Sequence, residues 1–158
     1  MRSKIYIFAI VWLVVVILSV FFPAHAADRS GSSKQYIKLD LITQFDRVAP
    51  GQELHLGVRV TLEEDWHIYW KNPGDTGLPT RVDWLLPSKF VVGPMLWPAP
   101  SRFNLENFVN FGYGRTVIFP FQLKVAEDVR SGRHSISADV SWLIYKDLCI
   151  PGEAQLFM

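Results

Sequence analysis

Apolar residues recur at every second position over long parts of this chain. Leu54, Leu56, Val58, Val60 and Leu62 alternate with His55, Gly57, Arg59 and Thr61, and Ile37, Leu39 and Leu41 alternate with Lys38, Asp40 and Ile42. Further on, Val117, Phe119, Phe121, Leu123 and Val125 make one face, while Ile136, Ala138, Val140 and Trp142 alternate with Ser135, Ser137, Asp139 and Ser141. A period of two sends successive side chains to opposite sides of an extended backbone, so each stretch predicts a half-buried strand. The first two are joined through a turn signal, "APGQ" at Ala49–Gln52. Short alternating strands between Pro/Gly turns predict an all-β fold, an immunoglobulin-like antiparallel β-sandwich. A closed β-barrel is the structural alternative, because strand patterns alone do not fix closure.

The N-terminus follows another pattern. Arg2 and Lys4 precede a run from Ile5 to Phe22 that is apolar but for Ser19, Pro23 breaks it, and Ala24-His25-Ala26 places small residues where a signal peptidase reads. Residues 1–26 are expected to be a cleaved signal peptide, with Ala27 as the first mature residue. A retained membrane anchor is the competing reading, since such a run could just span a bilayer. The helix breaker and cleavage site stand where an anchor would carry flanking charge. Residues 27–35, with the polar Gly/Ser-rich "DRSGSSKQ", read as a flexible spacer. The domain proper is expected over residues 36–158.

Between the clean strands lies a region rich in Pro, Gly and aromatics: "WHIYWKNPGDTGLPTRVDW" (Trp66–Trp84), "LWPAP" (Leu96–Pro100) and "NFVNFGYGRTV" (Asn107–Val117). Asn72-Pro73-Gly74 and Gly77-Leu78-Pro79 predict tight reversals, and Trp-Pro-Ala-Pro an extended path. Trp66, Trp70, Trp84 and Trp97 either fill the sandwich core or contribute to a loop-built recognition surface on a rigid scaffold.

Charge and composition remove several function classes. Cleavage would take Arg2 and Lys4 away, leaving 14 basic against 15 acidic residues in 132, a net charge near −1. A near-neutral domain without clustered basic residues has no electrostatic footprint for nucleic acid or an anionic membrane surface. Its length can bury a core without disulfide staples. His55, His67 and His134 have no second ligand at zinc-like spacing, so no metal is expected. No G-x-S-x-G elbow, P-loop or dinucleotide fingerprint is present, no cofactor is implied, and Glu63, Glu64 and Asp65 read as a solvated turn.

The remaining candidate chemistry is one thiol, Cys149, within "SWLIYKDLCIPGE" (Ser141–Glu153). An odd cysteine in an exported chain meets oxidants and other proteins' thiols. Flanked by Lys146-Asp147 and Ile150-Pro151-Gly152, it is expected where a strand gives way to a turn. Lys146 would favour the thiolate there and Asp147 would oppose it. A buried, inert cysteine is the alternative.

Four motifs in order, "WHIYWKNPGDTGLPTRVDW", "WPAP", "FGYG" and "WLIYKDLCIPGE", closely resemble the N-terminal periplasmic domain of the DsbD thiol:disulfide interchange proteins, particularly the branch with the ScsB-type suppressors of copper sensitivity. The resemblance covers about Tyr36 to Met158. It implies an immunoglobulin-like domain in the periplasm that delivers electrons to disulfide isomerases or related thioredoxin-fold partners by thiol–disulfide exchange. It also implies an aromatic cap over the sulfur, here Phe108, Phe111 and Tyr113, and site surroundings of Lys146, Asp147 and Pro151. The family pattern is W-L-x-C-K-D-x-C-I-P. Here Tyr145 stands at the first cysteine, while Cys149 keeps the one that forms mixed disulfides with partners. Attack could therefore survive while internal resolution is lost. The chain ends at Met158, in "EAQLFM", which reads as the start of another strand. Neither the family's membrane domain nor its thioredoxin-like domain follows in this sequence, which reads as a fragment, an early-terminating gene or a free-standing relative, and a membrane electron relay could be supplied separately. A non-catalytic binding module with Cys149 as a remnant, and a truncated or degenerate family member, are the other readings.

Overall fold

The alternating stretches become strands of two antiparallel sheets. The computed structural model describes residues 33–105 and 107–158; the expected leader over residues 1–26, and residues 27–32 of the expected spacer, lie outside the described residues. The strands are β1 (Ile37–Thr43), β2 (Glu53–Leu62), β3 (His67–Gly74), β4 (Arg81–Leu85), β5 (Phe90–Val92), β6 (Ser101–Leu105), β7 (Phe108–Gly114), β8 (Thr116–Val125), β9 (Ser137–Tyr145) and β10 (Cys149–Phe157). One sheet has the order β1-β2-β8-β5, the other β10-β9-β3-β7-β6, with β4 paired to β9 beside β3. Both sheets have open edges, β1 and β5 in one and β10, β6 and β4 in the other, so the architecture is an immunoglobulin-like sandwich and not a closed barrel.

Register explains the core. Leu56 faces Phe121, Val58 faces Phe119 and Val60 faces Val117 across the β2–β8 ladder, so their side chains share one face. That face meets Ile68, Ala138, Val140, Trp142 and Ile144 of the other sheet in one buried cluster. Burying a side chain such as Phe119 fully contributes about 1.5–3 kcal/mol. Phe119 also receives the edges of Trp97 and Tyr113, at centroid separations of 5.3 and 5.5 Å. Trp66 belongs to the core, stacked on Tyr36 at 4.2 Å, while Trp70, Trp84 and Trp97 pack against it partly buried.

Three segments differ from the sequence-based expectation. Asn72-Pro73-Gly74 is not a tight reversal but the end of β3, where the ladder with β7 slips between Tyr69 and Gly74. Proline cannot donate to a ladder, and an irregular stretch is where a strand tolerates it. Phe108–Tyr113 is not a loop but most of β7, paired with β3 on one side and β6 on the other. Ile150-Pro151-Gly152 is likewise strand, not turn: β10 is an edge, which admits Pro151. Gly152 is required there because a Cβ would run into Ser33 Oγ and the Trp142 ring. Glu153 to Phe157 continue this strand and do not start a new one.

Candidate functional site

The β9–β10 hairpin builds the site. Tyr145 ends β9, Lys146-Asp147-Leu148 turn the chain, and Cys149 begins β10 directly opposite Tyr145. The thiol thus follows the turn instead of preceding it. Lys146 N–H donates to Leu148 O at 3.4 Å across the turn. Directly opposed residues of an antiparallel pair have Cα atoms about 4.5–5.5 Å apart and side chains on the same side. Cys149 is exposed, whereas Tyr145 is only 2% exposed.

Alternation decides what surrounds them. Ile68 and Ile144 point into the core, so His67, Tyr69 and Tyr145 project from the sheet's opposite face. There they form a second aromatic cluster. Tyr145 stacks on Tyr69 at 4.5 Å and on His67 at 5.1 Å, and Phe103 of β6 covers His67 at 4.0 Å. The Tyr145 hydroxyl is buried with no hydrogen-bond partner among the described residues. Tyr69 is completely buried, and its hydroxyl reaches Cys149 Sγ at 3.4 Å and Thr76 Oγ1 at 3.4 Å.

Thr76 is held in turn by the fully buried Asn110 of β7. Asn110 Oδ1 accepts from Thr76 N at 3.2 Å and from Thr76 Oγ1 at 3.0 Å. Asp75 straps the same loop to β7: its N–H donates to Val109 O at 3.0 Å and its carboxylate accepts from Val109 N at 2.8 Å. Burial, reinforced by the hydrogen bond to the sulfur, pushes the Tyr69 phenol up to about 12. Tyr69 therefore stays protonated at any ordinary pH and can donate to a thiolate. Burial raises the Tyr145 phenol as well, with the neighbouring Tyr69 and Cys149 adding to it.

The residues singled out in the sequence fall into separate groups. Tyr145 and Cys149 face each other. Lys146 directs its ammonium to Asp65, at 3.2 Å, while Asp147 and Pro151 are exposed beside the thiol in sequence. Phe108 shares a face of β7 with Asn110 and is 47% exposed. Phe111 and Tyr113 lie on the other face. Phe111 meets the Trp70 ring edge at 6.5 Å, and Tyr113 is core, donating its hydroxyl hydrogen to Pro98 O at 2.8 Å. Sequence reasoning passed over Tyr69, Thr76, Asn110 and Phe103. The one available signal was Asn110, a polar residue amid apolar and aromatic neighbours on β7.

His67 makes the cluster pH-sensitive. Burial lowers its pKa below the ordinary 6.5, against smaller opposing contributions from the Tyr145 backbone and Asp65. The folded protein thus prefers the neutral ring, and the unfolded chain takes up the proton at a higher pH. Stability is full above 6.5 and falls as pH drops through that value toward the lowered one. We expect thermal melts at about pH 7.5 and about pH 5 to show the wild type losing stability relative to His67→Phe, which keeps an aromatic stack without titrating. Parallel melting shifts would show that His67 titrates normally.

Fold and site together define an immunoglobulin-like β-sandwich domain carrying one exposed cysteine beside a tyrosine hydroxyl. The family model described as thiol:disulfide interchange protein DsbD, N-terminal, matches residues 34–158, and the chain belongs to this family. Among solved structures, the N-terminal periplasmic domain of ScsB from Proteus mirabilis is similar to it, with 21% identity and a TM-score of 0.60 over 78% of this chain and 46% of that one. That likeness shows the fold, and the chain spans about half the length of that structure. The GGA1 GAE domain of yeast aligns at 9% identity with a TM-score of 0.41, over 78% of this chain and 90% of its own. No curated protein sequence matches the chain.

Proposed function

We propose that this is a periplasmic thiol:disulfide interchange domain that forms mixed disulfides with thioredoxin-fold proteins through Cys149. Tyr145, at the place of the family's first cysteine, leaves it without an internal route to release them. The observation that carries this reading is the position of the sulfur: exposed, opposite Tyr145, and 3.4 Å from the Tyr69 hydroxyl.

The chemistry balances as an exchange. The Cys149 thiolate attacks one sulfur of a partner disulfide; a new S–S bond forms, the old one breaks, and the leaving sulfur departs as a thiolate that takes a proton. Releasing the partner in reduced form requires a second thiolate to attack Cys149 Sγ. Tyr145 cannot supply one, so an external thiol must. A two-cysteine partner would also reverse the bond with its own second thiol.

The test therefore uses a thioredoxin-fold protein with its second cysteine replaced by serine and its first joined to 5-thio-2-nitrobenzoate. We expect one thionitrobenzoate released per Cys149 and an adduct of the summed mass that persists for hours. Reduced glutathione should dissolve it, and Cys149→Ser should release nothing. Release no faster than from the Cys149→Ser protein would defeat the proposal. Catalytic reduction of a two-cysteine partner without added thiol would defeat its second half.

A further inference from the structure

We propose that Thr76 and Asn110 are positioning residues that fix the direction of the Tyr69 hydroxyl, so that at rest it accepts a hydrogen from the Cys149 sulfur and gives none to it. This deepens the exchange reading and rests on it.

The directions follow from donor counting. Thr76 N–H can only donate, so the Asn110 atom it meets at 3.2 Å must be the amide oxygen, which fixes the orientation of that side chain. The Thr76 hydroxyl gives its single hydrogen to the same oxygen at 3.0 Å. Its own oxygen is then left to accept from Tyr69, at 3.4 Å. Giving the one Tyr69 hydrogen to Thr76 satisfies both contacts, because the sulfur can then supply its own hydrogen to the phenolic oxygen, at 3.4 Å. Hydrogens run one way, from sulfur to Tyr69 to Thr76 to Asn110.

A chain of that polarity favours the thiol. A thiolate has no hydrogen to give and needs a donor, which Tyr69 becomes only by turning its hydrogen away from Thr76. Asn110 anchors the chain at a cost: it is completely buried in the middle of β7, and its Nδ2 has no partner among the described residues. A buried unsatisfied amide is unfavourable, and the packing of a sheet face gives no reason to keep one. Holding Thr76 by both its backbone and its hydroxyl does.

Alkylation by iodoacetamide reports the thiolate without any protein partner, so its result is separable from the exchange test. Thr76→Val keeps the side-chain shape and removes the acceptor, freeing the Tyr69 hydrogen for the sulfur. Near pH 7, Cys149 should alkylate about five-fold faster in this variant, the effect of one hydrogen bond. Thr76→Ser, which keeps the hydroxyl, should stay within about two-fold of the wild type. At about pH 10.5 thiols are ionised throughout and the rates should converge. A mere loosening of the loop would speed alkylation equally at every pH, and that result would overturn the proposal. So would a Thr76→Val rate equal to the wild type near pH 7, or acceleration by Thr76→Ser to the same extent. In a Tyr69→Phe background the Thr76→Val effect should vanish, since nothing then connects residue 76 to the sulfur. Should Thr76→Val fail to fold, Thr76→Ala makes the same tests.

Discussion

Replacing Tyr145 with cysteine is expected to yield a protein that, after mild oxidation in the folded state, has no free thiol and a mass two hydrogens lighter than its reduced form. Cys149 and residue 145 are direct partners in the β9–β10 ladder. The Cα separation of such a pair, about 4.5–5.5 Å, falls inside the range a disulfide spans. Both side chains leave the sheet on one side, so closure needs no change of backbone course. The substitution also removes a ring that is 2% exposed and stacked on Tyr69 and His67. Truncating a buried aromatic costs about 3–5 kcal/mol, so the reduced variant should be markedly less stable than the wild type. Closing a five-residue loop returns about 2 kcal/mol by chain entropy. The oxidised variant should therefore lie between the reduced variant and the wild type, in urea unfolding with and without reductant. Two free thiols after oxidation under native conditions would mean the hairpin does not hold the two positions together, and the exchange reading would lose its geometric basis.

The sequence disclosed the frame of this molecule better than its site. Strands β2, β8 and β9 were legible because each buries one face only, and strict alternation is what a one-sided burial writes into a chain. The facing of residue 145 and Cys149 was foreshadowed by a short motif in which a turn separates them by three residues. Tyr69, Thr76 and Asn110 left no comparable trace. They lie 80, 73 and 39 positions from Cys149, and only the β3–β7 and β3–β9 ladders, with the slip between Tyr69 and Gly74, set them beside it. His67, Tyr69 and Trp70 fell in the aromatic region between the clean strands, where no alternation marked which face was core. A tyrosine serves equally well on either. The same ambiguity misled the reading of the aromatic run in β7: Phe111 and Tyr113 differ from Phe108 only in parity, and parity became meaningful once Ile68 was seen facing Tyr113. Proline and glycine misled for another reason. Pro73 and Pro151 mark irregular or edge strand as readily as turn, and the difference lies in whether a neighbouring strand needs the missing N–H.

Gly77→Ala should be among the most damaging single-methyl changes in this protein, and its damage should be felt at the thiol. Gly77 sits at φ +93°, in the left-handed region, and a Cβ built on it would overlap the hydroxyl end of the Tyr69 ring. That ring is completely buried, stacked on Tyr145, with its hydroxyl between Cys149 and Thr76, so it can move only by giving up these contacts. Backbone strain at a positive φ costs about 1–2 kcal/mol, and forcing an extra carbon into a filled space about 1–3 kcal/mol more. We expect a loss of about 3 kcal/mol in urea unfolding, together with displacement of the Tyr69 hydroxyl from the sulfur. A double-mutant cycle separates the two contributions. In a Tyr69→Ala background the ring is gone, so Gly77→Ala should retain only the backbone share, about 1–2 kcal/mol. Equal costs in both backgrounds would show that the loop yields without moving Tyr69. The close packing of Gly77 against Tyr69 would then have no part in holding the phenol at the thiol, and the Asp75–Val109 strap and the Thr76–Asn110 bonds alone would have to keep it there.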